Sequence, residues 1–316
     1  MKSAAIAFYN TENFFDVHDD KDKFDDFYTK NGKLEWNLER YNAKVRKISK
    51  VISEIGRKET AEPPLFIGLA EVEGKRVLND LIYSNQLIHW KYDYVHFESK
   101  DERGIDNAML YRTDKISVVK SSPISTVFYR ENGIEDFTRD VLYVKFLLEE
   151  IEIHTFTVHL PSRRNDNANV EFRNQILEVL RNKVDEILRD DPHAYVLIMG
   201  DFNGNPNNEF ARSILKTQAG KDLLNDELYN PMLTIGYGVG TLKFEGKWQL
   251  FDQILFSKQF FNEDGKLKYH STQIFNEQML REWEGKYRGY PFRTFAGIKY
   301  LGGYSDHFPI FTILNY

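Results

Sequence analysis

The chain has 316 residues, of which 41% are hydrophobic and 15% aromatic, with no cysteine and a formal net charge of −6. That length and apolar share suffice for one large domain with a sizeable core, read here as a single domain over residues 1–316. The missing cysteines exclude disulfides, thiolate metal sites and cysteine nucleophiles, and the acidic balance excludes a global basic field for gripping nucleic acid.

Ala4 to Tyr9 reads as a short buried strand that ends in Asn10-Thr11-Glu12-Asn13. Asp16 to Lys33 is charged and irregular and reads as a solvated loop. Within it, Asp20-x-Asp22 hints at a calcium loop, but Asp25 stands where an EF-hand needs glycine and Asn31 where it needs glutamate, so that motif is rejected. Val45, Ile48, Val51, Ile52 and Ile55 form a helical stripe over Tyr41 to Ile55, stopped by Gly56. Pro64 to Ala70 is a second buried strand, tipped by Glu71, and Gly74 to Leu87 reads as a helix. Short strands follow at Tyr92 to Phe97, Ala108 to Tyr111, Ile116 to Val119 and Thr126 to Tyr129, then a hairpin of Val141 to Leu148 with Ile151 to Val158. The hairpin ends in His159-Leu160-Pro161-Ser162-Arg163.

Phe172, Ile176, Val179, Leu180, Val184, Ile187 and Leu188 define a long amphipathic helix. Val196-Leu197-Ile198-Met199 then reads as a strand buried on both faces, which breaks into Gly200-Asp201-Phe202-Asn203-Gly204-Asn205-Pro206. A short helix over Asn208 to Lys216, a glycine-rich loop or hairpin over Gly236 to Lys247, and a strand over Phe251 to Phe256 with Asp252 near its start come next. Tyr287 to Tyr304 is rich in Gly, Arg and Tyr, and Ser305-Asp306-His307 leads into a last strand, Phe308 to Leu314. No stretch approaches the ~20 apolar residues of a membrane span. The absence of a visible signal peptide points to the cytoplasm, and the default oligomeric state is a monomer.

Asn10 and Glu12, Glu71, His159, Asp201 and Asn203, Asp252, and Asp306 with His307 all lie at or near strand ends. Each has a structural reading taken singly: an Asx turn for Asp201, a satisfied core histidine for His159, a cap for Asp252. Together, strands that alternate with helices yet pair by short turns favour paired mixed sheets, and a shared sheet edge would gather the polar tips.

The series Tyr9-Asn10-Thr11-Glu12-Asn13, Leu69-Ala70-Glu71, Thr157-Val158-His159-Leu160, Gly200-Asp201-Phe202-Asn203, Phe251-Asp252-Gln253-Ile254 and Ser305-Asp306-His307-Phe308-Pro309-Ile310 resembles the endonuclease/exonuclease/phosphatase superfamily, in order and over nearly the whole chain. The resemblance implies an α/β fold: a four-layer α/β sandwich, two mixed β-sheets packed face to face with helices on the outer faces. It implies a Mg²⁺-dependent phosphoesterase, with Mn²⁺ or Ca²⁺ as substitutes, in which Glu71, Asn10, Glu12 and Asp306 gather at the metal. Glu12 departs from the aspartate that several nucleases carry there. Asp201 would activate water, Asn203 would donate to a phosphoryl oxygen, Asp252 would orient His307, and His159 would meet the phosphate or leaving group. Arg163, Arg173 and Arg293 are candidate phosphate clamps, each weighed equally against a surface ion pair. A nuclease acting on nucleic acid is the first expectation. The alternatives are a phosphatase or phosphodiesterase acting on a sugar phosphate, inositol phosphate or lipid headgroup, and a non-catalytic binding module. Gln253 stands where inositol phosphatases usually carry arginine, which lowers the inositol reading.

Overall fold

The first strand, β1 (Ser3–Phe14), sets the frame. Ile6 and Phe8 join one buried cluster, while Ala5, Ala7 and Tyr9 join another. A period of two with both faces buried places this strand inside a layered fold. The computed structural model describes residues 2–129, 133–162, 166–236 and 238–316.

The other strands of the two large sheets are β2 (Phe66–Val72), β3 (Tyr92–His96), β4 (Asp106–Arg112), β5 (Ile116–Ile124), β6 (Val141–Leu148), β7 (Ile151–His159), β8 (Tyr195–Asp201), β9 (Thr217–Gln218), β10 (Leu228–Tyr229), β11 (Asp252–Ser257), β12 (Lys268–Ile274) and β13 (Ile310–Asn315). The six-stranded sheet runs β12-β13-β1-β2-β4-β3 and the seven-stranded sheet β9-β10-β11-β8-β7-β6-β5. Both are mixed: β1 pairs parallel to β2 and antiparallel to β13, and β8 pairs parallel to β7 and antiparallel to β11.

The sheets face each other across a core of Ile6, Phe8, Phe66, Met109, Phe146, Leu197, Met199, Ile254 and Ile310. Phe66 stacks on Phe146 with ring centroids 5.0 Å apart; truncating either to alanine should cost about 3–5 kcal/mol. Gly68 faces the opposite sheet, where a Cβ would lie 2.8 Å from the Met199 sulfur, so the two sheets close up near the site because this position carries no side chain.

Helix α1 (Leu38–Glu54) and α2 (Lys75–Ile82) cover the outer face of the first sheet. The α1 N-terminus is capped by Asn37, whose side-chain oxygen accepts the Arg40 N–H. Helix α3 (Asp166–Asp190) lays Ile176, Leu177, Leu180, Val184 and Leu188 on the outer face of the second, beside α4 (Glu209–Leu215). These are the four layers expected from the sequence.

Details differ. The helix read from Gly74 to Leu87 ends at Ile82. The strands read at Ile116 and Thr126 become one longer β5 and a two-residue ribbon strand, Phe128–Tyr129, paired with Glu135–Asp136. The last strand starts at Ile310 rather than Phe308. The edge strand β12 was not foreseen; Lys268–Ile274 buries neither face fully and shows no apolar alternation.

Candidate active site

The alternation that packs the inter-sheet core also fixes where the polar tips point. Asn10 follows Ile6 and Phe8 in β1, and Asp201 follows Tyr195, Leu197 and Met199 in β8. Asp252 precedes Ile254 and Phe256 in β11, and His159 shares the parity of Ile153 in β7. All four therefore face the gap between the sheets at one end. Register completes the arrangement, since Asp201 lies directly opposite Asp252 on one side and His159 on the other. The two sheets meet where Asn10 Nδ2 donates to Asp201 Oδ2 at 3.0 Å.

His307 enters from the loop before β13. Ser305 Oγ donates to the Asn10 carbonyl at 2.7 Å and accepts the His307 N–H at 3.1 Å, which ties that loop to the β1 tip. His307 Nδ1 lies 2.8 Å from Asp252 Oδ2. Its Nε2 points into the pocket, 3.9 Å from Asp201 and 4.0 Å from Asp306.

Glu71 arrives by a break in β2, where pairing with β4 shifts between Leu69 and Val72 and Glu71 takes φ 63. Glu12 at φ 55, Asn13 at φ 46 and Asn203 at φ 45 share this left-handed conformation. Four non-glycine residues held there around one pocket mark stored strain of the kind that collects at functional sites. Glu71 Oε2 accepts the Asn13 N–H at 2.6 Å, and Oε1 lies 3.7 Å from His159 Nε2. Asn203 donates its backbone N–H to Asp201 Oδ1 and its amide to the Leu160 carbonyl, each at 2.8 Å.

Charge states follow from burial and partners. Burial pushes Asp201 up to about 7; His307 and the hydrogen bonds from Asn203 and Asn10 oppose this, and Asp252 adds to it. Burial alone would depress His307, but Asp252, through its charge and hydrogen bond, with help from Asp201 and Asp306, holds the imidazole well above its usual value. His159 is held well below its usual value by burial and by the nearby Arg139, Arg103 and His307, so it is neutral near pH 7. Its Nδ1 is buried with no hydrogen-bond partner among the described residues.

The structure thus gathers Asn10, Glu71, His159, Asp201, Asn203, Asp252 and His307 at one end of the inter-sheet gap. Asp306 sits at the rim, with Arg293 3.8 Å away. Arg173 donates to the Asn203 carbonyl at 3.4 Å. Arg163 lies outside the described residues. Glu12 forms the back wall, its carboxylate accepting the Thr294 N–H at 2.6 Å and lying 3.9 Å from Lys44. Burial and the charge of Asp306 push Glu12 up to about 7.

Two buried cations went unforeseen. Lys44 of α1 donates to the Glu12 carbonyl, to Thr294 Oγ1 and to the Tyr304 carbonyl, so one ammonium joins three segments that flank the site. Arg139 pairs with Asp101 at 2.9 Å and donates to the Leu160 carbonyl at 3.5 Å. Lys44 carried one signal, a lysine one position before Val45 on the apolar stripe of α1. Arg139 carried none. Arg103, which had no account from the sequence, donates to Asn13 Oδ1 at 2.8 Å.

A two-sheet α/β sandwich with an acid–histidine pocket at one end of the inter-sheet gap defines the class. The profile of the Endonuclease/Exonuclease/phosphatase family matches residues 5–316, and the chain belongs to that family. Its name covers nucleases and phosphatases, enzymes that hydrolyse phosphoesters. No curated protein matches the chain in a search of that set. Solved structures share the fold at low identity. A family protein from Bacteroides thetaiotaomicron is 16% identical over 99% of this chain and 98% of that one, with a TM-score of 0.61. A mannosyl-6-phosphatase from the same organism is 16% identical over 99% and 100%, with a TM-score of 0.58. TDP2 of D. rerio, solved with a single-stranded DNA product, is 14% identical over 99% of each chain, with a TM-score of 0.58.

Proposed function

We propose that the chain is a divalent-metal-dependent phosphoesterase whose first substrate class is a nucleic-acid phosphodiester. The observation that carries the reading is the convergence of Asn10, Glu71, His159, Asp201 and the Asp252–His307 pair on one pocket. The donor set suits a hard cation. Glu71 and Asp306 offer carboxylates that are partly exposed, at 13% and 32%, and the charges of both act on Lys44 behind the site. Asp201, Asp252 and His307 also lie within ligand reach of one another, but His307 Nδ1 is held by Asp252 and both Asp201 oxygens accept N–H groups of Asn10 and Asn203, so that trio is assigned to proton handling. Glu71, Asn10 and Asp306 would hold Mg²⁺, with Glu12 as the anchored wall behind them. Bound there, the metal supplies charge neutralisation at the phosphate and the departing oxygen.

The protein's own groups divide the remaining work. Asp201 orients the attacking water and takes its proton, a role that suits a carboxyl poised near neutrality. The His307 imidazolium, kept charged by Asp252, donates from Nε2 to a phosphoryl oxygen as negative charge builds. Asn203 is assigned to a second phosphoryl oxygen, and neutral His159 to the leaving side. Arg173 and Arg293 are assigned to flanking phosphates.

Aromatic rings beside the final motif support a polynucleotide. Leu242 bridges to His307 on the ribbon Leu242–Phe244 with Lys247–Gln249. On that ribbon Trp248 packs against the buried Phe308 and beside Tyr290, with Lys243 Nζ 4.8 Å and 4.9 Å from the Trp248 and Tyr290 ring centroids, so a cation and part-buried rings stand beside the final motif. The net charge of −6 favours the second reading, a phosphatase of small phosphomonoesters. Parallel assays on plasmid, single-stranded DNA, RNA and sugar phosphates separate the two. Robust monoester cleavage with intact nucleic acid would reverse their order.

A further inference from the structure

The loop after β1 carries Asp16, Asp19, Asp20, Asp22, Asp25 and Asp26. Asp19, Asp20, Asp22 and Asp26 are exposed, and for most of this loop solvation is explanation enough. Asp25 is the exception, at 1% exposure. Its Oδ2 accepts the Asp20 N–H at 3.0 Å, but its Oδ1 is buried with no hydrogen-bond partner among the described residues. A carboxylate oxygen removed from water without a partner carries a desolvation penalty that something must offset.

Two further carboxylates stand beside it. Asp20, Asp25 and Glu73 each offer an oxygen, and these oxygens lie within 4.8 Å of one another. Glu73 comes from the segment just after β2 and accepts the Asp16 N–H. A cavity of about 230 Å³ opens here, lined by Asp20 and Glu73 and also by Glu98 and Asp106. Asp106 is 3% exposed, and its Oδ1 likewise lacks a partner among the described residues. The neighbouring cations are mostly engaged elsewhere. Lys23 donates to the carbonyls of Ser99 and Asp101, and Arg76 turns to Asp16 and His18, which leaves Lys75 as the other cation of the lining. Among the described residues, no ion pair reaches Asp20, Asp25 or Glu73.

We propose that Asp20, Asp25 and Glu73 form a calcium site distinct from the Asp201–His307 centre. The donors are all oxygen, with no imidazole or thiolate of the kind that selects zinc. Several carboxylates set around a cavity suit the high coordination number and flexible geometry of Ca²⁺ better than the compact octahedron of Mg²⁺. The ligands come from two segments, so the contiguous EF-hand pattern fails here although the chemistry is present. A cation held there ties the acidic loop to the end of β2, two residues beyond Glu71, and so braces the backbone that presents Glu71 to the other pocket.

The test titrates CaCl₂ into chelator-treated full-length protein carrying Glu71→Gln, which silences the site proposed for catalysis. Calorimetry should show one Ca²⁺ per chain, and millimolar Ca²⁺ should raise Tm by several degrees through preferential binding to the folded state. Adding Asp25→Asn should weaken binding at least tenfold and remove the Tm shift. Because Asp25 is buried, Asp20→Asn at an exposed position serves as the parallel variant and should act in the same direction. Absence of Ca²⁺ binding in the Glu71→Gln protein, or a binding isotherm and Tm shift unchanged by Asp20→Asn, overturns the proposal. Neither readout uses phosphoester turnover, so this site and the catalytic reading stand or fall separately.

Discussion

Replacing Asp252 with asparagine removes a charge and keeps the shape. In the native pocket Asp252 Oδ2 accepts from His307 Nδ1 at 2.8 Å, and both residues are buried. Two unit charges about 4 Å apart interact by about 4 kcal/mol at an effective dielectric of 20. At about 1.36 kcal/mol per pH unit, that is about three units of pKa. Burial already works against the imidazolium, so the Asp252→Asn protein should hold His307 neutral near pH 7. If His307 acts through a charged Nε2–H, kcat should fall by about 10²–10³, inside the usual range for losing a positioned acid or base. The alkaline limb of the pH–rate profile should move towards acid by about three units, so the deficit relative to the parent should be largest on the alkaline side. Initial rates on a chromogenic phosphodiester and on an end-labelled oligonucleotide, from pH 5 to 10, read both effects. A variant with kcat within threefold of the parent and an unmoved profile would refute the assignment of His307.

Other substitutions probe the remaining groups. Glu71→Ala should abolish metal-dependent turnover, measured with Mg²⁺ added back to chelated enzyme, while leaving the circular dichroism spectrum intact. The ionised fraction of Asp201 falls tenfold for each pH unit below its pKa, so the parent rate should rise with pH until about 7 and then level. Asp201→Asn should lower kcat by at least ~10²-fold. The native state keeps its proton up to about 7 whereas the unfolded chain releases it near 4, so native stability declines as pH rises across that window. The parent should therefore lose at most about 4 kcal/mol of stability from this group between pH 4 and pH 8, and Asp201→Asn should flatten that part of the Tm–pH profile. Lys44→Met leaves Glu12 buried without its cation and should cost about 3–5 kcal/mol in denaturant unfolding. Arg293→Ala should change stability by less than about 1 kcal/mol, since its pairing with Asp306 is part exposed, and should act on KM if it clamps a phosphate.

Much of this architecture was legible because inter-sheet packing and site placement obey one rule. Ile6 and Phe8 point into the core by alternation, and the same count puts Asn10 at its edge; Leu197 and Met199 do the same for Asp201. Strand parity carries that information wherever both faces are buried. It fails where the backbone leaves the pleat. Glu71 would point to the outer face by parity, and only the left-handed turn at its own Cα changes its aim. Glu12 lay beside Asn10 in every sequence argument, yet its carboxylate is bound to the Thr294 N–H, a contact across 282 positions that no local pattern encodes. The edge strand β12 escaped notice because neither face is fully buried, so it shows no apolar period. Arg139 sits in a loop and reaches Asp101 and Leu160 through tertiary contacts alone.

The central claim is that this pocket hydrolyses phosphoesters with a divalent metal and the Asp201–His307 pair. Its most direct test is turnover of a labelled single-stranded oligonucleotide and a panel of phosphomonoesters by chelated protein, with and without Mg²⁺, for the parent and Asp201→Ala. The account predicts cleavage that appears only with the metal and drops at least ~10²-fold in the variant. Turnover that survives chelation, turnover equal in Asp201→Ala, or no hydrolysis of any phosphoester with Mg²⁺ or Mn²⁺ would contradict it.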